Sequence, residues 1–203
     1  MKLENIINFE NVHVNYYIDS STLRNINLKI KNNENWAILG ANGSGKSTLI
    51  KLFSNDLYPT TKYPFKKEIF GEENWNIFEL KKNLGIITND LHNTFGSQGK
   101  YITAYEVILS GFYSSIQIFN HQDFTKEQHQ KILEVLEFLE ILELKDKKVH
   151  QMSTGQLRRC IIGRALIHDP KAFILDEPTV GLDIKSQHSF IKLGYVPVSC
   201  GIT

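Results

Sequence analysis

Apolar residues recur at two different periods along this chain, and the change of period divides it. In TLRNINLKI (22–30), Ile26, Leu28 and Ile30 alternate with polar residues, which predicts a strand with one buried face. KNNEN (31–35) reads as a polar turn. NWAILG (35–40) is a short apolar run ending on glycine, as a buried strand would. KSTLIKLFS (46–54) can continue as a helix, and LGIIT (84–88) predicts another short buried strand. From about 100 to 150 the period becomes helical. TAYEVILSGF (103–112) predicts a helix. Thr125 and Gln128 form a capping box, and behind it Ile132, Val135, Leu136, Leu139 and Leu142 fall on one helical face. Strand character returns at KAFILDE (171–177). Strand-rich regions interrupted by a helical insert predict an α/β sheet with a helical lobe, not a uniform βαβ series.

Composition narrows the classes. With 203 residues, 41% hydrophobic and 22% charged, the chain suits one domain, or a domain with a lobe, that buries a real core. Lys plus Arg (23) nearly balance Asp plus Glu (22), so a net charge of +1 gives no bulk drive toward nucleic acid or anionic lipid, and no nucleic-acid partner is expected. Two cysteines, Cys160 and Cys200, cannot build a disulfide framework or a four-thiolate zinc site. MKLENIINFE carries Glu4 and Glu10 and has no long apolar stretch, so no signal peptide is expected. No run approaches the ~20 apolar residues of a membrane span. The expected compartment is the cytoplasm, and a membrane role needs a partner subunit. His13, His92, His121, His129, His150 and His168 are scattered without metal-ligand spacing.

The candidate chemistry starts at GANGSGKST (40–48), where Gly40, Gly45, Lys46 and Ser47 fit G-x-x-x-x-G-K-[ST]. Phosphates need many donors at once. Glycines let backbone N–H groups turn inward around them, and the following helix adds its N-terminal partial positive charge. Lys46 would reach the β- and γ-phosphates, and the Ser47 hydroxyl would ligate Mg²⁺. The run AFILDE ends in Asp176 and Glu177. Two carboxylates closing a buried strand need a partner. Mg²⁺ would supply one, with Asp176 holding the metal through water and Glu177 polarising the attacking water as general base. The competing reading is an ordinary Asp-Glu-Pro helix start. In QMSTGQLRR (151–159), Ser153 and Gln156 form a capping box, and Leu157, Cys160, Ile161 and Ala165 line one face of a helix that ends at Pro170. That is either a capped core helix or a second phosphate-contacting N-terminus with Ser153 and Gly155 facing a γ-phosphate. Arg158 and Arg159 follow the signature and either shape the potential near phosphate or lie on a solvated helix face.

The order GANGSGKST, MSTGQ, FILDEP, GLD resembles the ATP-binding-cassette (ABC) ATPases over about residues 4–190. MSTGQ departs from that family's Leu-Ser-Gly-Gly-Gln at Met152 and Thr154 and keeps Ser153, Gly155 and Gln156. Small-molecule kinases and GTPases lack this signature. The resemblance implies an α/β fold: a P-loop NTPase core sheet, an N-terminal antiparallel β subdomain and a helical subdomain bearing the signature. The chain would be one ABC domain, with the core at about 1–90 and 165–203 and the helical lobe at about 90–165. It also implies ATP and Mg²⁺, with Gly40, Ala41, Asn42, Gly43, Ser44, Gly45, Lys46, Ser47 and Thr48 around the nucleotide, Glu177 as the catalytic base, and Ser47 and Asp176 at the metal. An aromatic residue upstream would stack on adenine. Tyr16 and Tyr17 are candidates, and Tyr16 fits the spacing better. Two cassettes would face head to tail, as a homodimer or with a second ABC cassette. Ser153, Thr154, Gly155 and Gln156 would then meet the partner's ATP, and Asp183 would sit across the interface.

Two departures qualify the resemblance. LGIITND puts Asn89 where the family carries a Gln that contacts Mg²⁺ and the transmembrane partner; Asn is one methylene shorter with the same amide, and it either reaches the metal through water or loses the contact. Some soluble-looking cassettes related to molybdate-uptake ATPases also lack this Gln, and the chain resembles them loosely. The family also places a histidine on the γ-phosphate, one helix and one strand beyond the D-loop. A helix of about 11 residues, a strand of about 5 and two short loops come to roughly 25 residues, more than follow Asp183. His188 is too early. After IKSQHSFIKL, the pattern breaks at Gly194 and Pro197, and LGYVPVSCGIT has no histidine. The expectation is a cassette without its last strands and switch histidine. Three functions follow: an ABC ATPase energising a transmembrane permease from the inner face of the plasma membrane, a soluble non-transport cassette, or a non-catalytic nucleotide-binding remnant.

Overall fold

The structure is a computed structural model that describes residues 4–17, 20–176 and 198–200. Strands β1 (Asn5–Tyr17) and β2 (Ser20–Lys31) pair antiparallel. In β1 Ile6, Ile7, Phe9, Val12 and Val14 are buried, and the face of Ile7 and Phe9 continues at Val12 and Val14, so the alternation slips by one between Phe9 and Val12. Asn11 sits there at φ +51°, and the strand register shifts at the same point. Asn tolerates the left-handed region, so this bulge keeps one face of a twisted strand on the core. Asn25, at φ +49°, stands between Leu23 and Ile26 in β2. After α1 (Lys46–Phe53), β3 (Lys66–Ile69) joins the other edge of β1, giving the order β2-β1-β3. Phe9 packs on Phe53 of α1 with ring centroids 5.6 Å apart.

Helix α2 (Ile77–Asn83) leads into β4 (Leu84–Ile87), the first strand of a parallel sheet. Then come α3 (Asn89–Ser97), α4 (Ala104–Leu109), α5 (Lys126–Phe138), α6 (Thr154–Leu166) and β5 (Ala172–Asp176). The last described strand, β6 (Val198–Cys200), lies on the far side of β5, so the order is β4-β5-β6. The antiparallel sheet, the parallel sheet and the helical region match the expected architecture. Strands β4 and β5 are largely buried on both faces, as their unbroken apolar runs predict. Leu84 and Ile174 join the core of the antiparallel sheet and α1, while Ile87, Phe173 and Leu175 join the core of α4, α5 and α6.

Three expectations change. NWAILG (35–40) forms no strand beyond a single bridge at Ala37, and Leu39 is 73% exposed. An apolar run becomes a strand only where a neighbour supplies a ladder, and among the described residues this one gains no more than that bridge. Leu142 does not continue the α5 stripe. Glu140 turns left-handed at φ +53°, Ile141 N–H bonds back to Leu136 O at 2.9 Å, and the helix is closed. Ile141 takes the core position instead, and Leu142 stays 41% exposed. Finally, the tail expected to lack a strand contributes β6, paired parallel to β5 through Ile174↔Val198.

Candidate functional site

The loop at 40–48 lies ahead of α1 and turns through glycine. Gly43 and Gly45 sit at φ +80° and +94°, which side chains rarely adopt. A Cβ at Gly45 would also fall 2.8 Å from Leu23 Cδ2. Gly45 is the N-cap of α1, no side chain caps that helix, and its first turn carries no acid. Lys46 folds back over the loop, with Nζ donating to the carbonyls of Gly40 (2.6 Å) and Ala41 (2.9 Å). These contacts hold a full positive charge inside the glycine turn.

The loop opens on a cavity of about 390 Å³ lined by Thr22, Asn42, Gly43, Gly45, Lys46, Ser47, Thr48, Asn89 and Asp176. The last two arrive by the parallel pairing. Ile87 is opposite Leu175 at the end of the β4–β5 ladder, so the residues just beyond emerge at one edge. Thr88 caps α3, its side chain accepting from Leu91 N–H at 3.2 Å, and this fixes where Asn89 begins that helix. Carboxyl ends of parallel strands are where such sheets bind ligands. The Ser47 hydroxyl, the Asp176 carboxylate and the Asn89 amide are hard oxygen donors. Together they suit Mg²⁺, which takes one or two protein oxygens, with phosphate and water completing its shell. Among the described residues no group of three or more His, Cys, Asp or Glu could hold a metal by itself.

Not every candidate converges on this cavity. Tyr16 is 47% exposed and does not line it, but its hydroxyl accepts from Thr48 Oγ1 at 3.4 Å, beside the loop. Ser153, Thr154, Gly155 and Gln156 form the start of α6 and do not line it either. Their capping box is closed, with Gln156 N–H bonded to Ser153 Oγ at 3.2 Å and Ser153 N–H to Gln156 Oε1 at 3.1 Å. Lys147 Nζ adds a 3.0 Å bond to the same Oε1. Glu177, Asp183 and His188 lie outside the described residues.

Two residues enter that sequence reasoning missed or misplaced. Thr22, in β2, lines the cavity because that strand runs beside the loop, and no local motif marks it. Arg158 is not on a solvated face. It is 1% exposed, and its guanidinium donates to Thr88 O and Asp176 O, each at 3.3 Å. A buried charge needs such partners, and the tips of β4 and β5 provide them. Helical periodicity alone cannot show that a face points at strand ends.

Fold and loop together define a P-loop α/β protein with a helical lobe. The family model described as ABC transporter matches residues 23–180, and the chain belongs to that family. It is 31% identical over 175 residues to the uncharacterized ABC transporter ATP-binding protein YlmA of Bacillus subtilis, covering 83% of this chain and 62% of that protein. It is 32% identical over 189 residues to the energy-coupling factor transporter ATP-binding protein EcfA3 of Clostridium perfringens, covering 93% and 63%. The chain thus spans under two thirds of either relative's length. A dimeric ATP-binding cassette in a post-hydrolysis state, bound to ADP and Pi, superposes with a TM-score of 0.71 at 27% identity, covering 92% of this chain and 80% of that one.

Proposed function

We propose that this chain binds ATP with Mg²⁺ in the cavity at the phosphate loop and hydrolyses it, as the nucleotide-binding subunit of a membrane transporter. One observation carries the reading: the loop, Asn89 and Asp176, from three separate stretches of sequence, line a single cavity. Lys46 exchanges the Gly40 and Ala41 carbonyls for β- and γ-phosphate oxygens, and the N–H groups from Ala41 to Thr48 surround the phosphates. Ser47 and Asp176 would hold the metal, with Asn89 beside them in the cavity lining, and Mg²⁺ there would neutralise charge on the β- and γ-phosphates. Tyr16, beside the loop, stacks on adenine. Glu177 takes a proton from the attacking water. The water oxygen bonds to the γ-phosphorus, the bond to the β,γ-bridging oxygen breaks, and ADP and phosphate leave.

The signature residues Ser153, Thr154, Gly155 and Gln156 lie outside the cavity of their own chain, so in this reading they complete the site of a second copy or a second cassette. Asp183 crosses that interface. The transporter part of the reading rests on the family and on the EcfA3 likeness. Among the described residues no helix is long and apolar enough to cross a membrane. In this reading the permease is a separate subunit and this chain sits on its cytoplasmic face. The helical lobe docks it, and a groove of about 260 Å³ between lobe and core, lined in part by Thr88, Leu91, Gly111, Ile116 and His168, offers a concave surface.

The test is Mg-ATP hydrolysis by the purified chain beside Lys46→Ala and Glu177→Gln. Turnover lost in both, with ATP still bound by Glu177→Gln, is the expected result. Turnover that survives Glu177→Gln removes the general-base assignment. Lys46-dependent binding without turnover in the parent selects the binding-only alternative.

A further inference from the structure

Arg158 stands in the second turn of α6, and its two terminal nitrogens reach the main chain where two neighbouring strands end, just past β4 and at the last residue of β5. One donates to Thr88 O, immediately before Asn89, and the other to Asp176 O, the carbonyl of the residue whose carboxylate lines the cavity. The ladder between β4 and β5 has its last pair at Ile87↔Leu175. One residue further on, the guanidinium takes over the link between the two strands. Its planar fork can span two acceptors at fixed directions, which a lysine ammonium cannot do. The side chain is buried and helix-mounted, so the strand tips are held by a rigid element rather than by a surface arm.

We propose that Arg158 is a positioning residue that sets the spacing between the Asn89 amide and the Asp176 carboxylate, and thereby the gain that Mg²⁺ adds to nucleotide binding. This rests on the reading that the cavity holds a Mg-nucleotide. Arg158 does not itself touch the nucleotide. The loop at 40–48 meets the phosphates without its help, so binding in the absence of metal does not depend on it. Groups that orient metal ligands from behind typically contribute 10- to 100-fold in metal affinity, and a clamp on two ligand-bearing strand ends belongs to that range. Because the same helix starts at the signature segment, the clamp also ties the metal side of the cavity to the surface offered to a second cassette.

The experiment titrates a fluorescent ATP analogue into the 203-residue chain, Arg158→Met and Arg158→Lys, once in EDTA and once in Mg²⁺. Mn²⁺ electron paramagnetic resonance on the nucleotide complexes and thermal melting accompany it. Binding in EDTA is expected to stay within about twofold of the parent, while the Mg²⁺-dependent gain falls by about tenfold or more in Arg158→Met. Arg158→Lys is expected to recover part of that gain, with a Mn²⁺ spectrum still altered from the parent. A Mg²⁺-dependent gain unchanged in Arg158→Met overturns the proposal. So does an equal loss in EDTA and in Mg²⁺ together with a lowered melting temperature, which marks a purely structural arginine. A parent whose binding is indifferent to Lys46→Ala defeats the cavity reading and this proposal with it. Failure of the proposal alone leaves Lys46-dependent binding intact.

Discussion

Among the described residues two α-helices begin beside glycine, and their first turns are opposites. Helix α6 starts with a closed capping box in which Ser153 and Gln156 satisfy each other, and Lys147 bonds to Gln156. Helix α1 starts at Gly45 with no side-chain cap. The remaining described α-helices, α2 to α5, are capped by Asn76, Thr88, Thr103 and Thr125, so α1 stands alone. Backbone donors at a helix start are costly to leave without partners when shielded from water. Of the six described α-helices, five have a side-chain cap and α1 does not, and its start lies at the cavity. The α6 start is self-sufficient in a single chain, so a nucleotide from a second cassette would meet an already ordered surface.

The sharpest way to break the contrast is to take the charge out of the open turn. Lys46→Ala should weaken ATP binding by about 100-fold, since charged hydrogen bonds contribute about 1.5–3 kcal/mol each. Isothermal titration measures it, and an unchanged affinity would mean that α1 is open for no phosphate. Gly45→Ala should come next. The φ of +94° costs a side chain about 1–2 kcal/mol, and the contact with Leu23 adds to this. Both denaturant midpoint and affinity should fall, whereas a neutral result would show that the loop relaxes freely. For the closed turns, Ser153→Ala and Thr125→Ala should each lower stability by about 1 kcal/mol in denaturant melts. Only Ser153→Ala should also lower turnover in a concentration-dependent ATPase assay. Equal turnover in the two variants would make α6 an ordinary capped helix.

The same contrast explains what was readable before the structure. The open turn is a local motif, and so are the capping boxes at Thr125 and Ser153, because spacing over three or four residues determines them. The β4 and β5 strands were readable as unbroken apolar runs, and with them the edge that carries Asn89 and Asp176. What escaped depends on tertiary neighbours. Arg158 has the pattern of a surface residue until strand tips are placed against it. Thr22 belongs to the cavity only because β2 runs past the loop. NWAILG has the composition of a strand without the ladder. The α5 stripe runs past its own helix end because Ile132 to Leu142 keep the period, while a left-handed Glu140 decides the stop.

The smallest expected effect probes how the closed end of α6 is attached to the segment bearing Asn89. His92, on α3, has its Nε2 3.4 Å from Thr154 O in the first turn of α6. Burial holds its imidazole below the ordinary histidine value, the bond to Thr154 pulls the other way, and the Arg158 charge adds to the lowering. The native state therefore favours neutral His92. Below the ordinary value of about 6.5 the unfolded chain binds more protons than the native one, so stability rises with pH across that window. The contribution is complete above about 6.5 and is lost as pH falls toward the depressed native value. Denaturant midpoints at about pH 7.5 and about pH 5.5 should drop on acidification, and the drop should shrink in His92→Gln. A residual drop is expected because His168 is likewise held low by burial. An equal drop in parent and variant would mean that the first turn of α6 does not depend on the protonation of α3.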